Sequence, residues 1–126
     1  MSGISHISVG VNDLARAKAF YDPIMRILGL EVRQADNESV DYGTHDALVY
    51  SLETPVNGQQ ATPGNGVHIA FKVEDQGTVE RFYHEALRLG GKDAGAPGLR
   101  PQYGPTYYGA FVLDPDGNKI EAVAGF

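Results

Sequence analysis

The sequence contains no cysteine among its 126 residues. This absence excludes a disulfide framework, a zinc site built from thiolates and a cysteine nucleophile. Histidine and carboxylate side chains remain as the candidate ligands for any metal ion.

Long apolar runs are also missing from the sequence. No stretch approaches the roughly 20 consecutive apolar residues that a membrane-spanning helix requires. The first residues, from Met1 to His6, lack the basic segment followed by an apolar one that marks a secretory signal. We therefore expect a cytoplasmic protein.

Positive charge is scarce, with 10 lysines and arginines against 16 aspartates and glutamates, and the formal net charge is −6. Such a surface repels phosphate backbones and anionic lipids, so we expect neither nucleic acid nor a membrane as a partner. The composition is 42% hydrophobic and 21% charged. These fractions, together with the length, are typical of one soluble globular domain.

The chain repeats itself with an offset of 62 residues. Between His6 and Gly29, eight of 24 positions are identical to those 62 residues later, where chance gives roughly one or two. The sequence therefore predicts a single domain made of two related modules. The predicted boundaries are module one at about 1–54, a linker at about 55–65 and module two at about 66–126.

Both modules show the same order of sequence patterns. Apolar residues first alternate with polar ones, as in Ile7, Val9 and Val11, which indicates a half-buried strand. Asp13 or Asp75 then provides an N-cap for an amphipathic helix. Three short extended segments follow in each module. The predicted fold class is α+β, with the order strand, helix and three strands occurring twice.

Two histidines, His6 and His68, occupy matching positions on the first strands, away from the apolar face. A single strand histidine is usually a surface residue, but modules paired about a pseudo-twofold axis would bring the two together. An offset of 71 residues between the last strands makes Tyr50 the counterpart of Glu121. Two imidazoles and a carboxylate can hold iron, manganese, nickel, cobalt or zinc. Taken alone, Glu121 would be an exposed carboxylate beside Lys119.

Four motifs in this sequence are similar to those of a known superfamily. The chain resembles the glyoxalase / bleomycin-resistance / extradiol-dioxygenase superfamily, also called vicinal oxygen chelate proteins. The resemblance covers essentially all 126 residues. The motifs are His6-Ile7-Ser8-Val9, Leu28-Gly29-Leu30, Gly66-Val67-His68-Ile69-Ala70-Phe71 and Asp114-Pro115-Asp116-Gly117-Asn118-Lys119-Ile120-Glu121.

The resemblance implies two βαβββ modules in a pseudo-twofold arrangement, whose mixed sheets curl around a metal or ligand cleft. It also implies that the first and last strands of each module supply the cleft positions His6, Tyr50, His68 and Glu121. Glyoxalase I has a carboxylate where this chain has Tyr50, and a tyrosine with a pKa near 10 is a poor base at neutral pH. This departure argues against glyoxalase I activity.

A second candidate feature lies in the segment that follows a weakly marked strand at about 92–94. Residues 95–105 are predicted to form a loop that carries Arg100 and Tyr103, and Tyr107 follows. Arg100 could bind a carboxylate or phosphate of a substrate, while Tyr103 and Tyr107 supply hydroxyls or a stacking surface. The same residue types also mark dimer interfaces.

Two functions remain open from the sequence. The first is a divalent-metal-dependent enzyme, of lyase, isomerase or dioxygenase type, that acts on a small oxygen-rich molecule. In it His6, His68 and Glu121 bind the metal and Tyr50 assists catalysis. The second is a metal-free protein that sequesters a small molecule, as bleomycin-resistance proteins do. In both cases a homodimer is expected.

Overall fold

The computed structural model describes residues 3–126 and shows one pattern of elements twice. In each half a strand and a helix are followed by three strands, which confirms the predicted α+β fold class with two βαβββ modules. The elements of module one are β1 (Ile7–Gly10), α1 (Leu14–Ile27), β2 (Glu31–Ala35), β3 (Ser39–Gly43) and β4 (Leu48–Glu53). Those of module two are β5 (His68–Lys72), α2 (Gln76–Arg88), β6 (Lys92–Leu99), β7 (Tyr108–Leu113) and β8 (Lys119–Ala124).

The two helices begin at the aspartates that the sequence marks as N-caps. The Asp13 carboxylate accepts a hydrogen bond from the Arg16 backbone N–H at 3.0 Å, and Asp75 accepts one from Thr78 at 2.8 Å. Each bond satisfies a backbone donor that the first helical turn leaves free. Matching caps therefore fix both helices at equivalent points of the repeat.

The strands form two separate four-stranded sheets. Sheet one has the order β1-β4-β3-β2, and sheet two has the order β5-β8-β7-β6. In each sheet the first and last strands of the module pair in parallel, and the other pairs are antiparallel. The equivalent strands of the two modules thus occupy equivalent places.

One hydrophobic core joins the two modules. The α1 helix packs on α2, and the Tyr50 ring of sheet one lies 5.2 Å from the Phe71 ring of sheet two. The face of each sheet that contacts this core is called its inner face below, and the opposite face its outer face. Because side chains alternate along a strand, neighbouring residues of β4 or β8 belong to different faces.

Two details differ from the sequence-based expectations. Strand β6 continues to Leu99, into the first part of the segment predicted as a loop, and pairs with β7 through two irregular shifts of register. Glycine, alanine and proline in this strand carry little β-propensity, which is why its pattern is weak. In addition, no strand of one sheet pairs with a strand of the other within residues 3–126, so the strands form two sheets rather than one continuous sheet. No helix formed by residues 3–126 has the length and apolar character needed to cross a membrane.

Candidate functional site

An open pocket of about 920 Å³ lies on the outer face of sheet two. All of its lining residues come from module two and the chain end that follows β8. Strands β5, β7 and β8 supply its floor, and the segment after β6 supplies one wall. Its charged, aromatic and imidazole side chains are His68, Arg100, Tyr103, Tyr107, Phe111, Lys119, Glu121 and Phe126.

A histidine and a carboxylate meet on the pocket floor. His68 Nε2 lies 3.1 Å from Glu121 Oε1, and the Glu121 side chain is fully buried whereas that of His68 is 45% exposed. A buried carboxylate is costly unless polar groups surround it. The structure places a carboxyl oxygen at the bottom of the pocket, with an accessible imidazole beside it.

The second oxygen of Glu121 accepts a hydrogen bond from the Tyr107 hydroxyl. Burial, and then this hydrogen bond, raise the pKa of Tyr107 well above its ordinary value, so its phenol stays protonated and acts as the donor. A Cβ atom on Gly109 would lie 2.9 Å from Glu121 Oε2 and 3.1 Å from the Tyr107 ring. The glycine leaves the space in which this hydrogen bond forms.

Arg100 and Tyr103 line the same pocket, as the sequence predicted for substrate-binding residues. The Arg100 Nη2 donates to the Ala96 carbonyl at 2.6 Å, which holds the guanidinium against β6. The Tyr103 and Tyr107 rings lie 5.2 Å apart and form an aromatic wall. Of the two adjacent tyrosines after Thr106, Tyr107 faces the pocket, whereas the Tyr108 hydroxyl bonds to Glu80.

His6 is not among the residues that line this pocket. It directly precedes β1 in module one, and its Nδ1 lies 3.0 Å from the Ser5 hydroxyl. Within residues 3–126, no three His, Asp or Glu side chains are close enough together to hold a metal ion. One chain therefore brings together two of the three predicted ligands, His68 and Glu121, and leaves His6 apart from them.

Tyr50 lies in the core rather than in a cleft. Its hydroxyl donates to the Tyr21 hydroxyl at 2.9 Å, and Tyr21 donates to the Asp114 carboxylate at 2.6 Å. The side chain of Tyr50 is fully buried, and this burial raises its pKa. A phenol so placed contacts neither the pocket nor His68, so the structure gives no support to a catalytic role for Tyr50.

The strand register explains this position. Ile7 is opposite Tyr50 in sheet one, and its equivalent Ile69 is opposite Ile120 in sheet two. Tyr50 therefore corresponds to Ile120, and the predicted equivalence of Tyr50 and Glu121 is wrong by one residue. A slip of one residue exchanges the faces of a strand.

The residue that corresponds to Glu121 is Ser51, which follows Tyr50 and is only 2% exposed. Its hydroxyl donates to the Asp41 carboxylate at 2.8 Å, across the β3–β4 pair. Asp41 itself corresponds to Phe111, which is opposite Glu121 in the β7–β8 pair. In module one the carboxylate is thus Asp41 on β3, whereas in module two it is Glu121 on β8, the strand equivalent to β4.

Three of the pocket residues named above, Phe111, Lys119 and Phe126, were missed by the sequence reasoning. A signal for Lys119 was available, because it precedes Glu121 by two residues and so shares its face of β8. Phe111 offers a similar signal, because it follows the predicted pocket residue Tyr107 by four positions and alternation gives both residues the same face. The pairing of β7 with β8 places Phe111 opposite Glu121 on the outer face.

The donor types at this site suit a divalent transition metal. An imidazole nitrogen and a carboxylate oxygen bind iron, manganese, nickel, cobalt and zinc, and they do not distinguish among them. Two such ligands from one chain make an incomplete set, since most sites use three or more protein ligands. A metal site built on His68 and Glu121 would need a third ligand from outside this pocket's own module.

Comparison with known proteins identifies the chain. A sequence profile of the Glyoxalase/Bleomycin resistance protein/Dioxygenase superfamily matches residues 3–122. No curated protein sequence matches it significantly.

Solved structures agree with this profile. A glyoxalase/bleomycin resistance protein from Albidiferax ferrireducens T118 is 35% identical, with 98% of this chain and 100% of that one aligned at a TM-score of 0.91. Two others have TM-scores of 0.68 at 21% identity and share the fold. One is the fosfomycin resistance protein FosX from Mesorhizobium loti, whose alignment covers 100% of this chain and 94% of the FosX chain. The other is lactoylglutathione lyase from Agrobacterium tumefaciens, whose alignment covers 99% of this chain and 95% of the lyase chain. The chain belongs to the glyoxalase/bleomycin resistance protein/dioxygenase superfamily.

Proposed function

We propose that this protein is a divalent-metal-dependent enzyme that acts on a small oxygen-rich molecule, by lyase, isomerase or dioxygenase chemistry. The observation that carries the proposal is the fully buried Glu121 carboxylate, 3.1 Å from His68 on the floor of an open pocket. Burying a charge there costs stability. Metal binding accounts for that cost, since a cation would neutralise the carboxylate.

His6 of a second copy supplies the third metal ligand in this proposal. Within one chain His6 belongs to sheet one, and the pocket belongs to sheet two. A homodimer in which sheet one of one copy covers sheet two of the other would bring His6 to His68 and Glu121. Two such sites would form per dimer, as twofold symmetry requires.

Each pocket residue has a distinct task in this enzyme. When bound, the metal would act as a Lewis acid toward substrate oxygens and stabilise negative charge on them. Tyr107 positions Glu121 through its hydrogen bond, and Arg100 and Tyr103 bind and orient the substrate. Tyr50 has no part in the chemistry, because its hydroxyl is held by Tyr21 in the core.

The alternative function is metal-free sequestration of a small molecule. One observation favours it: Glu121 already has a partner for each oxygen, His68 for Oε1 and Tyr107 for Oε2. The pocket is therefore consistent with a stable site that holds no cation. Binding of a ligand would then depend on shape and on the polar groups of the wall.

Metal analysis of mixed dimers tests the proposal. The His6→Ala and His68→Ala variants are co-expressed with different affinity tags, and dimers carrying both tags are isolated. If each site combines two chains, the mixed dimer keeps one intact site and one doubly mutated site. We expect one metal ion per mixed dimer, about two per wild-type dimer and none in either variant homodimer.

Two outcomes contradict the proposal. Mixed dimers without metal, when the wild type is loaded, would place each site within a single chain. A wild-type protein that binds no transition metal at micromolar concentrations would exclude the metal-dependent enzyme and leave the sequestration function.

A further inference from the structure

Two cationic side chains flank one phenyl ring in the pocket. The Arg100 guanidinium carbon lies 5.5 Å from the centroid of the Phe111 ring, and Lys119 Nζ lies 5.1 Å from it. Both distances fall within the range of cation–π contact. The positive charges of Arg100 and Lys119 therefore both lie next to the Phe111 ring in the same pocket.

Neither cation forms an ion pair with a carboxylate among residues 3–126. Across residues 3–126, the ion pairs involve other lysines and arginines, together with His68. Arg100 donates to the backbone carbonyls of Ala96 and Gly109, and its Nε is buried without a hydrogen-bond partner. Carbonyls orient a guanidinium but leave its charge uncompensated, and an unsatisfied buried donor is costly.

The local charge of the pocket is opposite to that of the whole chain. The protein has a net charge of −6, whereas the charged side chains of the pocket are Arg100, Lys119 and the single carboxylate Glu121. Glu121 is moreover engaged by His68 and Tyr107. A cationic cleft on an anionic protein concentrates anions.

The sequence around Arg100 keeps the guanidinium in this place. A Cβ atom on Gly95 would lie 3.3 Å from Arg100 Nη2 and 2.9 Å from the Phe111 ring. The opposite wall is aromatic, because the Tyr107 ring contacts the Tyr103 ring in a tilted arrangement and the Phe126 ring edge to face, with centroid distances of 5.2 and 4.9 Å. The pocket therefore offers an apolar surface next to the two cations.

We propose that Arg100 and Lys119 form an oxyanion subsite around Phe111, and that the ligand is a small organic acid. Its carboxylate or phosphate contacts the two cations, and its apolar body packs on the aromatic wall. This inference rests on the proposed function in that it names the substrate class of the same pocket. The oxyanion contact itself requires no metal.

A titration with three benzene derivatives tests this subsite. Benzoate, phenyl phosphate and neutral benzyl alcohol are added to protein freed of metal on a chelating resin, since soluble chelators are themselves polyanions. The readout is the Arg100 Nε–H signal in proton–nitrogen NMR spectra. We expect both anions to shift this signal and benzyl alcohol to leave it unchanged, and the tighter of the two anions identifies the group.

Three substitutions measure the contribution of each cation. Arg100→Gln should weaken binding of the tighter anion about 10- to 100-fold, since it removes charge-assisted hydrogen bonds. Lys119→Gln should weaken it about 3- to 10-fold through loss of one charge. The matched control is Lys72→Gln, because Lys72 lies on the outer face of sheet two but outside the pocket. This variant should change the affinity for the anion less than about 2-fold, since salt screens the charge of an exposed side chain.

Clear results would overturn the inference. Equal shifts of the Arg100 signal by benzyl alcohol and benzoate would do so, as would an Arg100→Gln variant, folded by circular dichroism, that binds the anion as tightly as the wild type. Failure of the proposed function looks different: the protein would bind no transition metal yet still bind the anion through Arg100 and Lys119.

Discussion

The outer faces of the two sheets share a strand order and differ in chemistry. His6 and His68 match, but sheet two carries Glu121 and Phe111 where sheet one carries Ser51 and Asp41. A pocket forms beside Glu121. In this protein the repeat preserves strand pairing more strictly than it preserves the side chains of the outer face.

The charges of the two outer faces also differ. On sheet one, burial and the nearby carboxylates Asp41 and Asp36 raise the pKa of Glu53, which indicates a concentration of negative charge. On sheet two, Arg100 and Lys119 are cations without an ion pair in the part of the chain that the structure describes. Opposite signs would attract each other if the two faces met in the proposed homodimer, which supports that arrangement.

The inner faces of the two sheets both pack in the hydrophobic core. Tyr50 and its counterpart Ile120 are both fully buried in the shared core. Tyr50 differs because it also donates a hydrogen bond to Tyr21. The predictions below test this assignment of residues to inner and outer faces.

The largest expected effect on stability comes from the inner face. Tyr50→Ala removes a fully buried aromatic ring, and the free energy of unfolding should fall by about 3–5 kcal/mol. Tyr50→Phe keeps the ring and should cost only about 1 kcal/mol for the lost hydrogen bond. Urea denaturation measures both values. Loss of metal or anion binding in a folded Tyr50→Phe protein would contradict the placement of Tyr50 in the core.

A smaller effect is expected on the outer face of sheet two. Gly109→Ala places a methyl group against Glu121 Oε2 and the Tyr107 ring, and such crowding should cost about 1–3 kcal/mol. Gly98→Ala on β6 is the control, because nothing lies within 4 Å of its added Cβ. Thermal unfolding should separate the two variants, and equal midpoints would mean that Gly109 does not shape the Tyr107–Glu121 contact.

The smallest expected effect is a change in the pH dependence of stability. Because the folded state raises the pKa of Tyr107, unfolding releases a proton once the pH exceeds the ordinary tyrosine value near 10. Stability therefore falls as the pH rises from about 10 toward the folded pKa. Tyr107→Phe should flatten this fall by up to about 1.4 kcal/mol per pH unit.

The matched variant for this measurement is Tyr50→Phe, since burial raises the pKa of Tyr50 as well. Both variants should flatten the curve of unfolding free energy against pH, although their tyrosines lie on opposite faces. An unchanged slope for Tyr107→Phe would show that its phenol titrates normally and is not the donor to Glu121.

Much of the fold could be predicted from the sequence. The offset of 62 residues identified the two modules, and aspartate caps with apolar periodicity located both helices. Asp114-Pro115-Asp116-Gly117-Asn118 is a turn signal in the sequence, and strand β8 begins directly after it. Strand β6 was cut short because Gly95, Ala96 and Gly98 do not show a strand pattern.

The candidate site was harder to predict because it depends on strand register. Val49, Tyr50 and Leu52 are apolar on both faces of β4, so alternation alone does not fix which residue faces outward. A usable signal was that Ser51 is the polar residue between two apolar ones, as Glu121 is between Ile120 and Ala122. The separation of His6 from His68 depends on how the modules pack, which no local pattern encodes.

Metal content is the most direct measure of whether the outer face of sheet two is the functional face. Protein purified without chelator, as wild type, Glu121→Gln and Ser51→Ala, is measured for bound transition metal per chain. We predict about one ion per chain in the wild type and in Ser51→Ala, and almost none in Glu121→Gln, since carboxylate ligands bind hard and borderline cations far better than amides do. Equal metal content in Glu121→Gln and the wild type would contradict a functional role for this face.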